Sequence, residues 1–136
     1  MMRGELLDAN VLVYAFTTDE RAAKALELLH ARPTISVQGL NEFANVARRK
    51  LRMDWREVRD AISALRAFCP TILPLDLATH DEALRIAERH GYSMFDALVV
   101  ASALQANSEM LWSEDMQHGM VIDGRLRIAN PFRKGS

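Results

Sequence analysis

Residues 94–106, MFDALVVASALQA, carry apolar side chains on nearly every side of the helix they predict. Such a helix has no polar face to turn toward water, so neighbouring elements must enclose it. Ser93 and Asp96 fit its capped start, a hydroxyl at the cap and a carboxylate three residues on. The enclosing elements are legible on either side. Upstream, Ala78 to His90 has helical period with Gly91 in the terminating position, and downstream Met110 to Trp112 is a short strand. Nearer the N-terminus, Gly4 to Asp8 reads as a strand ending in a carboxylate, followed by a helical turn over Asn10 to Phe16. A surface helix spans Asp19 to Ala31 and ends at Arg32-Pro33. Thr34 to Val37 is a β-branched run ahead of a helix from Leu40 to Lys50. Trp55, Val58, Ile62, Leu65 and Cys69 then recur at alternating spacings of three and four, with Asp54 and Glu57 as a capping pair and Pro70 as a stop. Thr71 to Leu75 predicts a strand that Pro74 confines to an edge or to its end, and Met120 to Ile122 a weak last strand. Strands alternating with helices, without long hairpins, predict an α/β layer architecture around a mainly parallel sheet. Ligands of such sheets bind beyond the carboxyl ends of the strands.

The 136 residues suit one domain spanning 1–136, at the usual ~100 to 200 residues per domain. With 49% hydrophobic and 26% charged residues, six Gly and four Pro, the composition excludes disordered, collagen-like and coiled-coil readings. Cys69 is the only cysteine, so neither an internal disulfide nor a cysteine zinc site can form, and a reducing, cytoplasmic setting is expected. The apolar stretch Val11 to Phe16 is short and follows Glu5 and Asp8, which argues against a signal peptide and a membrane span. Residues 133–136, closing in Gly-Ser, read as a flexible tail and a cloning scar.

A formal net charge of −1 conceals an asymmetry. Between Ala44 and Arg66, seven basic residues (Arg48, Arg49, Lys50, Arg52, Arg56, Arg59, Arg66) outnumber three acidic ones, a local +4 that leaves −5 elsewhere. A basic strip attracts a polyanion by counterion release. Glu57 and Asp60, set among the arginines at helical spacing, equally suit a solvated helix face.

Four carboxylates occupy places that this architecture brings together. Asp8 closes the first strand, Glu42 is expected in the first turn of the helix after the second, Asp96 opens the enclosed helix, and Asp115 follows the strand Met110 to Trp112. Each has a structural role open to it, as a cap, a dipole partner or loop surface. Jointly they are like charges in one crevice, which must protonate or hold cations. Oxygen-only ligation, with no cysteine set and no paired histidines, suits a hard ion such as Mg²⁺ or Mn²⁺.

Other chemistries lack their residues. No GxGxxG or GxxxxGK phosphate loop is present. His30, His80, His90 and His118 lie in separate segments without zinc-site spacing, and only His118 falls near the acids, where a loop residue without a role is the expectation. Cys69 ends an apolar stripe and reads as core.

DANVLVYAF from Asp8, NEF around Glu42, SMFDALVVASAL around Asp96, WSEDMQHG around Asp115 and the closing NPF at 130–132 resemble the PIN-domain ribonucleases, and in size and spacing the VapC-type toxins of toxin–antitoxin pairs. The resemblance runs over essentially the whole chain. Two positions depart from the pattern: Ala9 replaces a common Ser or Thr, and Asn10 stands where Asp is common. Ser113 keeps the hydroxyl before the last acidic pair.

The resemblance implies a three-layer α/β/α sandwich with a mainly parallel central sheet, and a Mg²⁺- or Mn²⁺-dependent endoribonuclease. It implies Asp8 and Asp96 as direct metal ligands, Glu42 as a ligand through water or at a second site, and Asp115 as the completing acid. Asn10 and Ser113 would position water or hold the carboxylates, and Arg48, Arg49, Lys50 and Arg52 would line the RNA path. A VapB-type antitoxin and a second copy of the chain are the implied partners. Competing readings are a degenerate PIN domain that binds without cutting and a receiver-like signalling module. Receivers expect an acidic pair after the first strand and a late lysine, whereas here Asp8 stands alone and no lysine lies between Lys50 and Lys134. A haloacid-dehalogenase-type phosphatase would need Asp at the position of Asn10.

Overall fold

The structure, a computed structural model, describes residues 4–133. Its elements are β1 (Glu5–Leu7), α1 (Ala9–Tyr14), α2 (Ala22–His30), β2 (Ile35–Ser36), α3 (Val37–Arg49) and α4 (Trp55–Phe68), then β3 (Ile72–Leu73), α5 (Leu77–His90), α6 (Met94–Gln105), β4 (Met110–Trp112), β5 (Val121–Ile122) and β6 (Leu126–Ala129).

Four strands form a sheet in the order β1-β4-β6-β5, and β2 pairs with β3 in parallel. Thr34 joins the two sets: its N–H donates to the Glu5 carbonyl at 2.9 Å, and its carbonyl accepts from Leu7 N–H at 3.1 Å. All pairings are parallel except β5 with β6. Period-two alternation sends neighbouring side chains of β1 to opposite faces. Leu6 enters the core formed with α5, α6 and β4 to β6, while Leu7 enters the core formed with α1 to α4. These two cores on either side of one sheet are the three layers that the family resemblance implies.

Residues 97–104 of α6 are all buried, so the helix is enclosed as its composition requires. Gly91 ends α5 in the left-handed conformation, at φ 74°. The Asp54/Glu57 capping box at the start of α4 is present in both halves. Burial pushes the Cys69 thiol up to about 11, which suits a core residue and no nucleophile.

Several expectations need correction. α3 begins at Val37 rather than Leu40, because Ser36 Oγ accepts from Gly39 N–H at 2.9 Å and caps the helix earlier. Trp55 leaves the apolar stripe of α4: it is 60% exposed and lies under the Arg48 guanidinium. The tail expected at 133–136 lies outside the described residues except for Arg133. Strand β6 escaped the sequence reading, although Asp123-Gly124, both at positive φ, is a two-residue hairpin signal. The hairpin places β6 inside the sheet, with Leu126 and Ile128 buried and Arg127 exposed. Among the described residues no helix is long and apolar enough to cross a membrane.

Candidate active site

Parallel pairing of β1 with β4 brings their carboxyl ends side by side, so the residues that follow each strand share one edge. Asp8 follows β1 and caps α1, its Oδ1 accepting from Ala9 N–H at 2.8 Å. Its other oxygen, Oδ2, accepts from the Ser113 hydroxyl at 2.8 Å. Ser113 follows β4 and is fully buried, its backbone N–H bonded to the Ala129 carbonyl of β6. Asn10 ties the two loops together. Its Nδ2 lies 3.1 Å from Asp115 Oδ2, 3.3 Å from Ser113 Oγ and 3.4 Å from Asp8 Oδ2, while its Oδ1 accepts from Glu114 N–H at 3.2 Å. Asn10 and Ser113 therefore hold carboxylates.

Glu42 projects from α3 and Asp96 from the first turn of α6, and both line the same cleft as Asp8 and Asp115, a space of about 760 Å³. Glu42 is the sixth residue of α3 and not in its first turn, so the helix dipole is no reason for a carboxylate there. Gln38, buried one turn earlier, donates to Glu42 Oε1 at 3.4 Å. At Asp96 half of the expected capping box forms, with Ser93 Oγ accepting from Asp96 N–H at 3.2 Å.

The electrostatics are those of acids in want of positive charge. Asp8 is 3% exposed, and burial pushes its carboxyl up to about 7 against the opposing pull of the Ser113 and Ala9 hydrogen bonds; the nearby charges of Glu42 and Asp96 push the same way as burial. Glu42 is raised by burial and then by Asp96 and Asp115, and Asp96 by burial and then by Asp115. None of the four forms a salt bridge among the described residues. An all-oxygen set under mutual repulsion fits a hard divalent cation in donor chemistry. Among the described residues no three Asp, Glu, His or Cys side chains form a ready-made metal cluster, and Glu42 and Asp96 are both half-buried.

The basic strip divides. Arg49 and Lys50 line the cleft. Arg48 does not: its guanidinium lies 4.7 Å from the Trp55 ring centroid and donates to the Met53 carbonyl. Arg52, at φ 57° beyond the end of α3, is also outside the cleft lining. His118 has a local role after all, its Nδ1 accepting from Asn130 N–H at 2.9 Å.

A second network adjoins the acids and was not read from the sequence. Glu114 accepts from the Tyr14 hydroxyl at 2.6 Å and from Arg21 Nη1 at 2.8 Å. Arg21 is also clamped by Asp19 and lies 4.3 Å from the centroid of the Tyr14 ring, whose edge meets Phe132 of the NPF segment. Residues far apart in sequence build it, so no local spacing announces it.

Comparisons with known proteins agree with this architecture. Residues 6–119 match the family model of the PIN domain. Among solved structures, similar chains occur in a toxin–antitoxin complex from Klebsiella pneumoniae, at TM-score 0.71 and 18% identity over 94% of this chain and 98% of that one. Another is VapC20 of Mycobacterium tuberculosis, a sarcin-ricin loop cleaving toxin, at TM-score 0.66 and 19% identity over 79% of this chain and 86% of that one. A third is VapBC2 of Rickettsia felis bound to a promoter DNA fragment, at TM-score 0.67 and 19% identity over 93% and 97%. At such identities the likeness is one of fold. Curated protein sequences give no significant match.

Proposed function

Since the chain belongs to the PIN domain family, we propose that it is a divalent-metal-dependent endoribonuclease and the toxin of a toxin–antitoxin pair. One observation carries the reading: four carboxylates without a cationic partner among the described residues share a cleft at the carboxyl edge of a parallel sheet, three of them with raised pKa. A buried carboxylate without compensation is costly, and its retention in a cleft is the mark of a site that acquires positive charge when it works.

In this reading Asp8 and Asp96 would hold a Mg²⁺ or Mn²⁺ ion directly, Glu42 would hold it through water or serve a second site, and Asp115 would complete the set. Such an ion, when bound, supplies a more acidic water and neutralises charge on the phosphoryl group and the leaving oxygen. The chain's own residues do the positioning. Ser113 Oγ–H and Ala9 N–H fix both oxygens of Asp8, and the Asn10 amide keeps Asp115 in register with them. Gln38 donates to Glu42 one turn along the same helix, and Arg49 and Lys50, on the same lining, would take RNA phosphates. Ala9 offers no hydroxyl, and among the described residues the side-chain donors to Asp8 are Ser113 and Asn10.

The test is cleavage of total RNA by the purified protein with Mg²⁺, with Mn²⁺ and with EDTA, with the cut sites mapped. Metal-dependent cuts lost in Asp8→Asn support the reading. Metal binding without any cleavage would favour the degenerate, non-catalytic PIN domain.

The structural neighbours' assembly with antitoxins supports a VapB-type partner, and we extend the reading to a homodimer. Sedimentation of the free chain tests the dimer, and suppression of cleavage by a co-expressed antitoxin tests the pairing. We place the activity in the cytoplasm, where the RNA it would cut resides.

A further inference from the structure

Phe95 does not behave like the other phenylalanines of the chain. Phe16, Phe43, Phe68 and Phe132 each pack against another ring, whereas Phe95 makes no ring contact among the described residues. It is 63% exposed. Trp55, the other strongly exposed aromatic, is at least covered by Arg48. Phe95 precedes Asp96 in the chain and lines the cleft that holds the four acids. An apolar ring left mostly in water gains little from burial, and α6 is capped by Ser93 regardless of it.

The α3 side of the cleft has matching features. Asn41, Asn45 and Arg49 recur every four residues, which sets them ~6 Å apart along the helix at 1.5 Å rise per residue. The Asn41 and Asn45 amides make no hydrogen bond among the described residues, and Arg49 and Lys50 make no salt bridge there. All four line the cleft together with Phe95. One space thus presents a bare aromatic face, two unengaged amides and two unpaired cations.

We propose that Phe95 is a specificity-determining residue: its ring stacks on an unpaired RNA base beside the phosphate that the acids address, while Asn41 and Asn45 hydrogen-bond that nucleotide and Arg49 and Lys50 take the next phosphates. The proposal rests on the nuclease reading above and adds to it which residues choose the site of cutting. Each component answers one part of a nucleotide: aromatic rings stack on base faces, amides pair with base edges and ribose hydroxyls, and cations meet phosphates. A purely apolar anchor from a protein would cover the ring but leave the amides and cations unanswered.

The experiment uses a short RNA spanning a mapped cut site, with 2-aminopurine at successive positions, bound to the non-cleaving Asp8→Asn protein. Quenching at one position, lost in Asp8→Asn/Phe95→Leu and restored in Asp8→Asn/Phe95→Trp, is the expected signature of stacking. In the cleaving protein Phe95→Leu raises KM about tenfold, within the range of a lost base–aromatic stack, with kcat at saturating RNA little changed. Asn41→Ala with Asn45→Ala shifts the base preference at that position. A parent protein that cuts RNA, paired with a Phe95→Leu variant of unchanged KM, cut sites and quenching, overturns the proposal and assigns the ring to a protein contact. A parent that cuts no RNA overturns the nuclease reading, and this one with it.

Discussion

Glu114 and Asp115 are neighbours in the chain and line one cleft, yet their surroundings treat their charges in opposite ways. Glu114 is met by the Arg21 guanidinium and the Tyr14 hydroxyl. Burial and the hydrogen bond to Glu114 push the Tyr14 phenol up to about 12, so it remains a donor, and the bonds to Asp19 and Glu114 strengthen the hold of Arg21 on its proton. Among the described residues Asp115 receives only the neutral Asn10 amide, and Asp8 only a hydroxyl, a backbone N–H and the same amide, all of them neutral. A cation was therefore available to this region, and the fold directs it to Glu114 and away from the four-acid cluster. The difference separates a carboxylate that holds loops in place from carboxylates kept short of positive charge.

The comparison is broken most directly by activity. Asp8→Asn should reduce RNA cleavage by roughly 100-fold or more, the scale for losing a charged catalytic group, in a protein whose circular dichroism is unchanged. Glu114→Gln should cost far less activity but lower the melting temperature, because it weakens the junction between Tyr14, Arg21 and the loop after β4. Equal loss of activity in both variants would move Glu114 into the catalytic set.

The pH dependence of stability in the absence of divalent ions is the next largest effect. The folded carboxyl of Asp8 lies near 7 against 3.8 for the free group, so the native state binds its proton more tightly than the unfolded state does. Its contribution is fully present below 3.8 and is lost as pH rises toward 7. The slope from this one group is at most about 1.4 kcal/mol per pH unit, and Glu42 and Asp96 add to it in the same direction. Urea unfolding between pH 4 and 8 should show stability falling across the window in the parent and a flatter profile in Asp8→Asn. A profile that rises with pH would contradict the reading of Asp8 as under-compensated.

Divalent ions sharpen the same contrast. Binding to the native state alone stabilises it by mass action, ~2.7 kcal/mol at about a hundred times the dissociation constant. Millimolar Mn²⁺ or Mg²⁺ should raise the melting temperature of the parent and of Glu114→Gln, and leave those of Asp8→Asn and Asp96→Asn nearly unmoved. A full shift in Asp96→Asn would remove Asp96 from the proposed ligands.

The sequence made the acids visible and hid their treatment. Asp8 and Asp96 stand at predictable element starts, where strand ends and caps leave short-range signals. The enclosed helix α6 was legible because its apolar residues leave no face for water. Glu42 was misplaced within its helix because the cap at Ser36 lies ahead of the first apolar residue of the pattern. What no periodicity could reveal is long-range pairing: Asn10 reaches across the sheet edge to Asp115, and Arg21 to Glu114, 105 and 93 residues away. Strand β6 does leave a local signal, the hairpin pair Asp123-Gly124 ahead of it.

The smallest effect concerns the basic residues, which repeat the contrast between engaged and unengaged charge. Arg49 and Lys50 line the cleft without an ion pair among the described residues, whereas Arg48 is occupied by the Trp55 ring and the Met53 carbonyl. A residue that contacts a phosphate adds about one to the salt slope of RNA binding, so Arg49→Gln and Lys50→Gln should each flatten that slope by nearly one. Arg48→Gln should leave the slope alone and instead lower stability by ~0.5–1 kcal/mol, the worth of an exposed cation–π contact. None of the three changes should alter metal-induced stabilisation, because none of these side chains is among the acids. If Arg48→Gln flattens the slope as much as Arg49→Gln does, the whole strip meets RNA as a diffuse field, and engagement in a local contact no longer distinguishes one arginine from the next.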